Sequence, residues 1–177
     1  MEWYTIAAYI ASIATPVAAF IGIGVAILSN NRVLKAYKKN LQADKLCNCS
    51  ERYVSHVDEI STAITEDELP DYLASCKKLI ELFAHQYRLW ELDSLPEKTF
   101  IEWATFNSHP ENHYKFGELT IPIVWKQDHE KIFEAAAFPY KSKFVEYMNY
   151  VYGGKHLRFN EVESFLLKQK KSERKHQ

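Results

Sequence analysis

The chain has 177 residues, with 22 Lys and Arg against 23 Asp and Glu, and three cysteines. That length supports one modest domain. The near-neutral balance leaves no basic footprint for nucleic acid, and an odd cysteine count fits reduced thiols rather than a disulfide framework.

The first element is the most informative. From Trp3 to Leu28 there are 26 residues without a charged side chain. About 20 apolar residues already cross the roughly 30 Å hydrocarbon core of a bilayer as a helix. A secretory signal would carry a basic leader and a shorter apolar core, whereas here only Met1 and Glu2 precede the run, although Gly24-Val25-Ala26 has the small residues of a cleavage site. A buried core helix apolar on every face over this length would be unusual. The run therefore predicts a transmembrane anchor over 1–29. Arg32, Lys35, Lys38 and Lys39 follow it within a basic segment spanning 30–45, whereas no Lys or Arg precedes it. Cations stay on the cytoplasmic side, so the expected topology is single-pass in the inner (cytoplasmic) membrane, N-terminus outside and C-terminal domain cytoplasmic. The same four cations are the expected contacts to lipid headgroups.

Within the run, Pro16 lacks an amide proton and predicts a kink, with Ser12 and Thr15 placed to satisfy the freed carbonyls. Ala14, Ala18, Gly22 and Ala26 recur every four residues, a small-residue face that lets a second helix approach closely. A homo-oligomer or a partner membrane helix is the expected consequence. The run holds no ionisable residue, which gives an ion or proton pathway no support.

Charge is unevenly distributed beyond the anchor. Residues 30–54 carry six Lys/Arg against two acids, residues 55–135 carry seven against sixteen, and residues 136–177 carry nine against four. The acidic middle is expected to stand off an anionic membrane.

Residues 46–167 read as a small cytosolic helical domain. Asn30 to Glu66 holds no Pro or Gly, so the first helix should continue into the domain, with a heptad-like seam of Leu46, Ser50, Tyr53, Val57, Ile60 and Ile64. A second helix should start near Pro70, with acids at its head, and bury Leu73, Cys76, Ile80, Phe83, Tyr87 and Trp90. These two should form an antiparallel hairpin. Ser94-Leu-Pro96-Glu97 has the form of a capping box opening a third helix over Phe100, Ile101, Trp103 and Ala104. Asn107 to Gly117 is turn-rich. Leu119 to Trp125 alternates like a strand, but Pro122 favours Thr120 as the cap of a fourth helix reaching about Ala137. A fifth helix is expected over 140–152, stopped by Gly153-Gly154, with a Tyr-Gly-Gly-Lys hairpin as the alternative. Asn160 should cap the last helix, and 168–177 forms a basic tail. The fold class is thus all-α: a transmembrane helix continuing into a bundle of about five to six helices.

Chemistry is harder to find. Cys47-Asn-Cys49 lies in a helical pattern, where residues two apart face nearly opposite sides and cannot easily share an ion. His109-Pro-Glu111-Asn-His113 offers two imidazoles and a carboxylate, with Asp128 or His129 as a fourth ligand. Its spacing is not that of a zinc-protease helix, and Pro110 opposes a regular helix. The reading therefore assigns no metal and no cofactor, keeping His109, Glu111 and His113 as the residues to place. His85 sits among apolar positions as a hydrogen-bonded or edge histidine. Trp90, Trp103 and Trp125 read as core before pocket. No nucleophile elbow or glycine-rich phosphate loop is present, so no catalytic residue is assigned.

Asn30-Asn31-Arg32 after the span, with Tyr87-Arg-Leu-Trp90 through Pro96 to Trp103, resembles uncharacterised bacterial membrane proteins with one N-terminal span and a helical cytosolic domain of unknown function. The resemblance implies placement and fold without an activity. The expectation is a membrane-anchored interaction or scaffolding module that recruits a cytosolic protein partner. The alternatives are a pore-forming effector built on an oligomer of the kinked span, and a metal-dependent enzyme using His109, Glu111 and His113.

Overall fold

The structure is a computed structural model that describes the backbone of residues 2–136 and 141–173 and the side chains of residues 27–131 and 142–171. The chain divides into two compact units, Met1–Ala43 and Asp44–Gln177. Six helices make up nearly all of the described secondary structure: α1 (Glu2–Thr65), α2 (Leu69–Glu91), α3 (Glu97–Ser108), α4 (Ile121–Ala136), α5 (Lys141–Val151) and α6 (Phe159–Glu173). A 3-10 turn, Pro110–Asn112, and a hairpin of two antiparallel strands, β1 (Lys115–Phe116) and β2 (Leu119–Thr120), stand between α3 and α4. The all-α expectation therefore holds for the described residues, apart from that hairpin.

The core of the second unit is built around α2, which carries twelve buried residues, from Tyr72 to Trp90. Five of the six positions read from its seam are buried, with Leu73 half-buried. Several aromatic rings meet at its C-terminal end. Phe100 stacks on Trp90 at 5.2 Å and 17° and on Tyr147 at 5.5 Å and 27°, while Tyr87 meets Phe144 at 5.7 Å. Offset stacking of this kind adds about 0.5–1.5 kcal/mol per pair beyond the area it buries. Tyr87 Oη donates to Gln169 Oε1 at 2.9 Å, and Gln169 Nε2 donates to the Lys143 carbonyl at 3.3 Å, tying α6 to both α2 and α5. Lys170 lies over the Trp90 ring at 4.6 Å and pairs with Asp93 at 3.0 Å.

The seam of α1 holds at five of its six expected positions, Val57 among them, and fails at Ser50, where the neighbouring Cys49 is buried instead. Cys49, Ile60 and Ala63 are buried, Leu46, Tyr53 and Ile64 are half-buried, and Ser50 is exposed. A helix that buries only one side has a narrow apolar stripe, and small residues such as Cys49 and Ala63 occupy its closest approach.

Helix ends account for the other differences. α1 and α2 both stop in the same way, with an aspartate in the left-handed region: Asp67 at φ 58° and Asp93 at φ 50°. The Glu68 amide donates to the Ala63 carbonyl at 2.9 Å, and the Ser94 amide donates to the Leu89 carbonyl at 2.8 Å. These are the long closing bonds of the Schellman motif, usually hosted by Gly but open to Asp, whose short polar side chain tolerates that backbone. Ser94 is consumed by the end of α2, so the capping box expected for α3 does not form; Pro96 stands at the cap without a side-chain bond. α6 starts one residue before its expected cap, Asn160. The Arg158 amide is satisfied by Glu161 Oε2 at 2.7 Å, the glutamate half of a capping box.

Pro122 falls in the first turn of α4 as expected, and α5 ends before Gly153-Gly154 without the alternative hairpin. The β1–β2 hairpin was not expected. It turns through Gly117 at φ 57°, where a Cβ would be strained. Tyr72 Oη reaches the carbonyls of Tyr114 at 2.9 Å and Leu119 at 3.0 Å, which pins the hairpin to α2.

Candidate functional site

In the first unit, Arg32, Lys35, Lys38 and Lys39 lie on α1 and are exposed. So are Ile27, Leu28, Val33, Leu34, Tyr37 and Leu41, each at least 40% exposed. Val33, Leu34, Tyr37 and Leu41 share a stripe at helical spacing, while Arg32, Lys35 and Lys39 take the opposite side of the helix and Lys38 borders the stripe beside Leu34. The side chains of Ala14, Pro16, Ala18, Gly22 and Ala26, read from the sequence as a helix-packing face and a kink, lie outside the described residues. Among the described residues, no helix is long and apolar enough to cross a membrane. That statement does not reach most of the uncharged run.

The second unit presents three features. The largest is an open groove of about 930 Å³ between the second half of α1 and the start of α2. Glu51, Asp58, Glu59, Glu66 and Asp71 line it, with Lys78 as its cation. Lys78 Nζ lies 3.0 Å from Glu59 Oε2, and Ser75 Oγ donates to the same oxygen at 3.3 Å. The Lys78 bond holds the Glu59 carboxyl below the usual carboxylate range against partial desolvation.

A smaller cavity of about 270 Å³ is lined by Cys49, Tyr53, Phe83, Trp103 and Phe106, among others. Burial pushes the Tyr53 hydroxyl up to about 12 and raises the Cys49 thiol. Burial likewise raises the Cys76 thiol, to about 11. Thiols so disfavoured as thiolates are poor nucleophiles and poor metal ligands. Cys47 is exposed while Cys49 is buried, so the Cys-Asn-Cys pair points to different sides, as helical spacing predicts. Trp90 and Trp125 are core, whereas Trp103 is half-buried at this cavity.

The third feature is a cluster of ligating side chains beyond the end of α3. His109 Nδ1 is 3.1 Å from Glu111 Oε1, and His156 Nε2 is 3.6 Å from Glu111 Oε2. The two imidazoles meet edge to face with centroids 4.8 Å apart. Glu111 and His156 are exposed and His109 is half-buried. The Glu111 carboxyl is held below its ordinary value by its own backbone amide, then by the His109 bond and the two neighbouring rings, against desolvation.

Local structure explains why these three residues meet. α3 ends at Ser108, and the 3-10 turn is closed by the Asn112 amide on the His109 carbonyl at 2.9 Å and by Asn112 Nδ2 on the Phe106 carbonyl at 2.9 Å. That turn carries Glu111 back beneath His109. Leu157 is buried, and its amide donates to the buried Ser108 Oγ at 3.2 Å. Ser108 precedes His109 and Leu157 follows His156, so one buried hydrogen bond fixes the backbone beside both histidines.

Of the trio read from the sequence, His109 and Glu111 are brought together and His113 is not. His113 Nε2 donates to the Asn107 carbonyl at 2.8 Å, and its ring lies against Tyr152 at 5.2 Å. It braces the turn rather than joining the cluster. Asp128 is occupied by Lys77 and Lys131, and His129 packs on Trp125. His156 was not read from the sequence. Its local context, Gly153-Gly154-Lys155, marks a loop, and the Ser108–Leu157 hydrogen bond holds that loop here. Searches of protein-family models, curated proteins and solved structures return no match to this chain.

Proposed function

We propose that this chain is a single-pass, membrane-anchored helical module whose second unit faces the cytosol and recruits a protein partner there. The observation that carries the reading is the uncharged run Trp3–Leu28 followed at once by Arg32, Lys35, Lys38 and Lys39. Its support beyond the run is the exposure of all four cations on α1, where each contributes about 1 kcal/mol of attraction to an anionic leaflet. Confinement to a membrane raises the effective concentration of the second unit for any partner held on the same surface.

Self-association through α1 belongs to the same reading. Ile27, Leu34 and Leu41 recur at heptad spacing, are 56%, 56% and 40% exposed, and lie beyond the small-residue face of the span. An exposed seam of that spacing is what a paired helix would cover.

Two measurements test the proposal. The full chain should resist extraction from membranes at alkaline pH, and a C-terminal fluorescent-protein fusion should glow while a C-terminal alkaline phosphatase fusion stays inactive. Release at alkaline pH, or the opposite reporter pattern, overturns the anchor or its orientation. For self-association, a Leu34→Cys chain in a Cys47→Ser background should form disulfide dimers in isolated membranes treated with a copper–phenanthroline oxidant. Its absence together with unchanged mobility in crosslinking would limit the module to one copy.

A further inference from the structure

We infer that His109, Glu111 and His156 form a binding site for a zinc-type divalent transition-metal ion, joining the turn after α3 to the loop before α6. The inference does not depend on the membrane reading.

The donor set suits such an ion. Two imidazole nitrogens and one carboxylate are ligands for zinc and its neighbours, whereas magnesium and calcium prefer all-oxygen shells. The spacing also suits it. Zinc lies about 2.0–2.1 Å from nitrogen and oxygen ligands, so neighbouring donors of a tetrahedral shell stand about 3.3–3.4 Å apart. His109 Nδ1 is 3.1 Å from Glu111 Oε1, His156 Nε2 is 3.6 Å from the other carboxylate oxygen, Oε2, and one donor atom from each of the three residues falls within 4.8 Å of the others. Among the described residues this is the group of His, Cys, Asp and Glu that meets that condition.

The backbone is also held in place. An ion that must gather ligands from two distant segments loses affinity to the ordering of those segments. Here the Leu157–Ser108 bond, the two closures of the Asn112 turn and the His113–Asn107 bond already order both segments. Rigid support of this kind separates a site from a chance encounter of exposed side chains. Three protein ligands leave a fourth position, which faces solvent because Glu111 and His156 are exposed. Water or a small anionic ligand takes that place.

The test uses the full chain purified in mild detergent, stripped of metal with a chelator and titrated with zinc chloride in a calorimeter. One equivalent should bind. His156→Ala and Glu111→Gln should each weaken binding at least about tenfold, a loss on the scale of even outer-shell changes at metal sites. His129→Ala, whose ring packs on Trp125 away from the cluster, and Cys47→Ser should leave the affinity within about twofold. Cobalt(II) in place of zinc should give visible absorption bands of a low-coordinate site, lost in His156→Ala. His156 is exposed, so its replacement leaves the core intact, and Glu111→Gln reads the same site through a different ligand. No stoichiometric uptake, or equal losses on His129→Ala and His156→Ala, overturns the inference. So does binding abolished by Cys47→Ser.

Discussion

Ser108 and Leu157 are joined by a hydrogen bond that connects two elements with no other backbone bond between them among the described residues: the Leu157 amide donates to Ser108 Oγ at 3.2 Å. The hydroxyl proton is committed in turn to the Thr105 carbonyl at 2.7 Å, so Ser108 serves as acceptor and donor at once. Both residues are buried. Ser108→Ala leaves the Leu157 amide buried without a partner, which costs about 1–3 kcal/mol. For a chain of this size the thermal midpoint should fall by about 2–4 °C per kcal/mol. The Leu157 amide should lose its protection in hydrogen exchange, a readout that a general loss of packing would not confine to one loop.

Tyr72 offers a second test of a single pin. Its one hydroxyl proton is shared between the carbonyls of Tyr114 and Leu119, on either side of the hairpin, and its ring lies 5.3 Å from that of Phe116. Burial raises the phenol well above its ordinary value, so it remains a donor at every physiological pH. Tyr72→Phe keeps the ring and removes the pin. A cost of about 1 kcal/mol is expected, with faster amide exchange confined to residues 115–120. Unchanged exchange there would mean that ring packing alone holds the hairpin.

The aromatic cluster should respond far more strongly. Phe100 is 1% exposed and sandwiched between Trp90 and Tyr147. Phe100→Ala opens a cavity the surrounding rings cannot fill and should destabilise the chain by about 3–5 kcal/mol. Phe100→Leu, which keeps more volume, should cost less. The near-ultraviolet dichroism, to which Trp90 and Tyr147 contribute, should weaken with it.

The residues behind these predictions differ in how legible they were. Tyr87 and Trp90 follow from periodicity, because α2 is enclosed and almost every position on its inner face is apolar, and Phe100 follows from the apolar positions of α3. The α1 seam was legible except at Ser50, because a helix packed on one side offers few apolar positions and the small Cys49 beside it takes the inward place. The stops at Asp67 and Asp93 were hidden, since aspartate marks turns, caps and surfaces alike and only the backbone reveals the left-handed residue. The metal-ligand trio was legible as far as His109 and Glu111, which the Asn112 turn brings together locally. His156 replaces His113 through a tertiary contact, Ser108–Leu157, that no local pattern encodes. The groove was legible only as an acidic stretch.

Stability should also fall on mild acidification, and two histidines set the window. His56 is drawn below its ordinary value by desolvation, opposed by Glu59 and reinforced by Arg52 and Lys78. Its Nδ1 lies 3.8 Å from Glu59 Oε2, beyond hydrogen-bond reach. His85 is lowered by desolvation and by Arg52, Lys45 and Arg88. Both are therefore favoured neutral in the folded state. In the unfolded chain each titrates near 6.5, so below that pH the unfolded state binds more protons than the folded state. Folding stability then declines as pH falls. Above about pH 7 both states carry neutral histidines, and the two residues contribute no slope. Urea unfolding between pH 7.5 and 5 should show a falling midpoint, and a His56→Gln, His85→Gln double variant should flatten that decline. An undiminished slope in the double variant would assign the acid sensitivity to other groups.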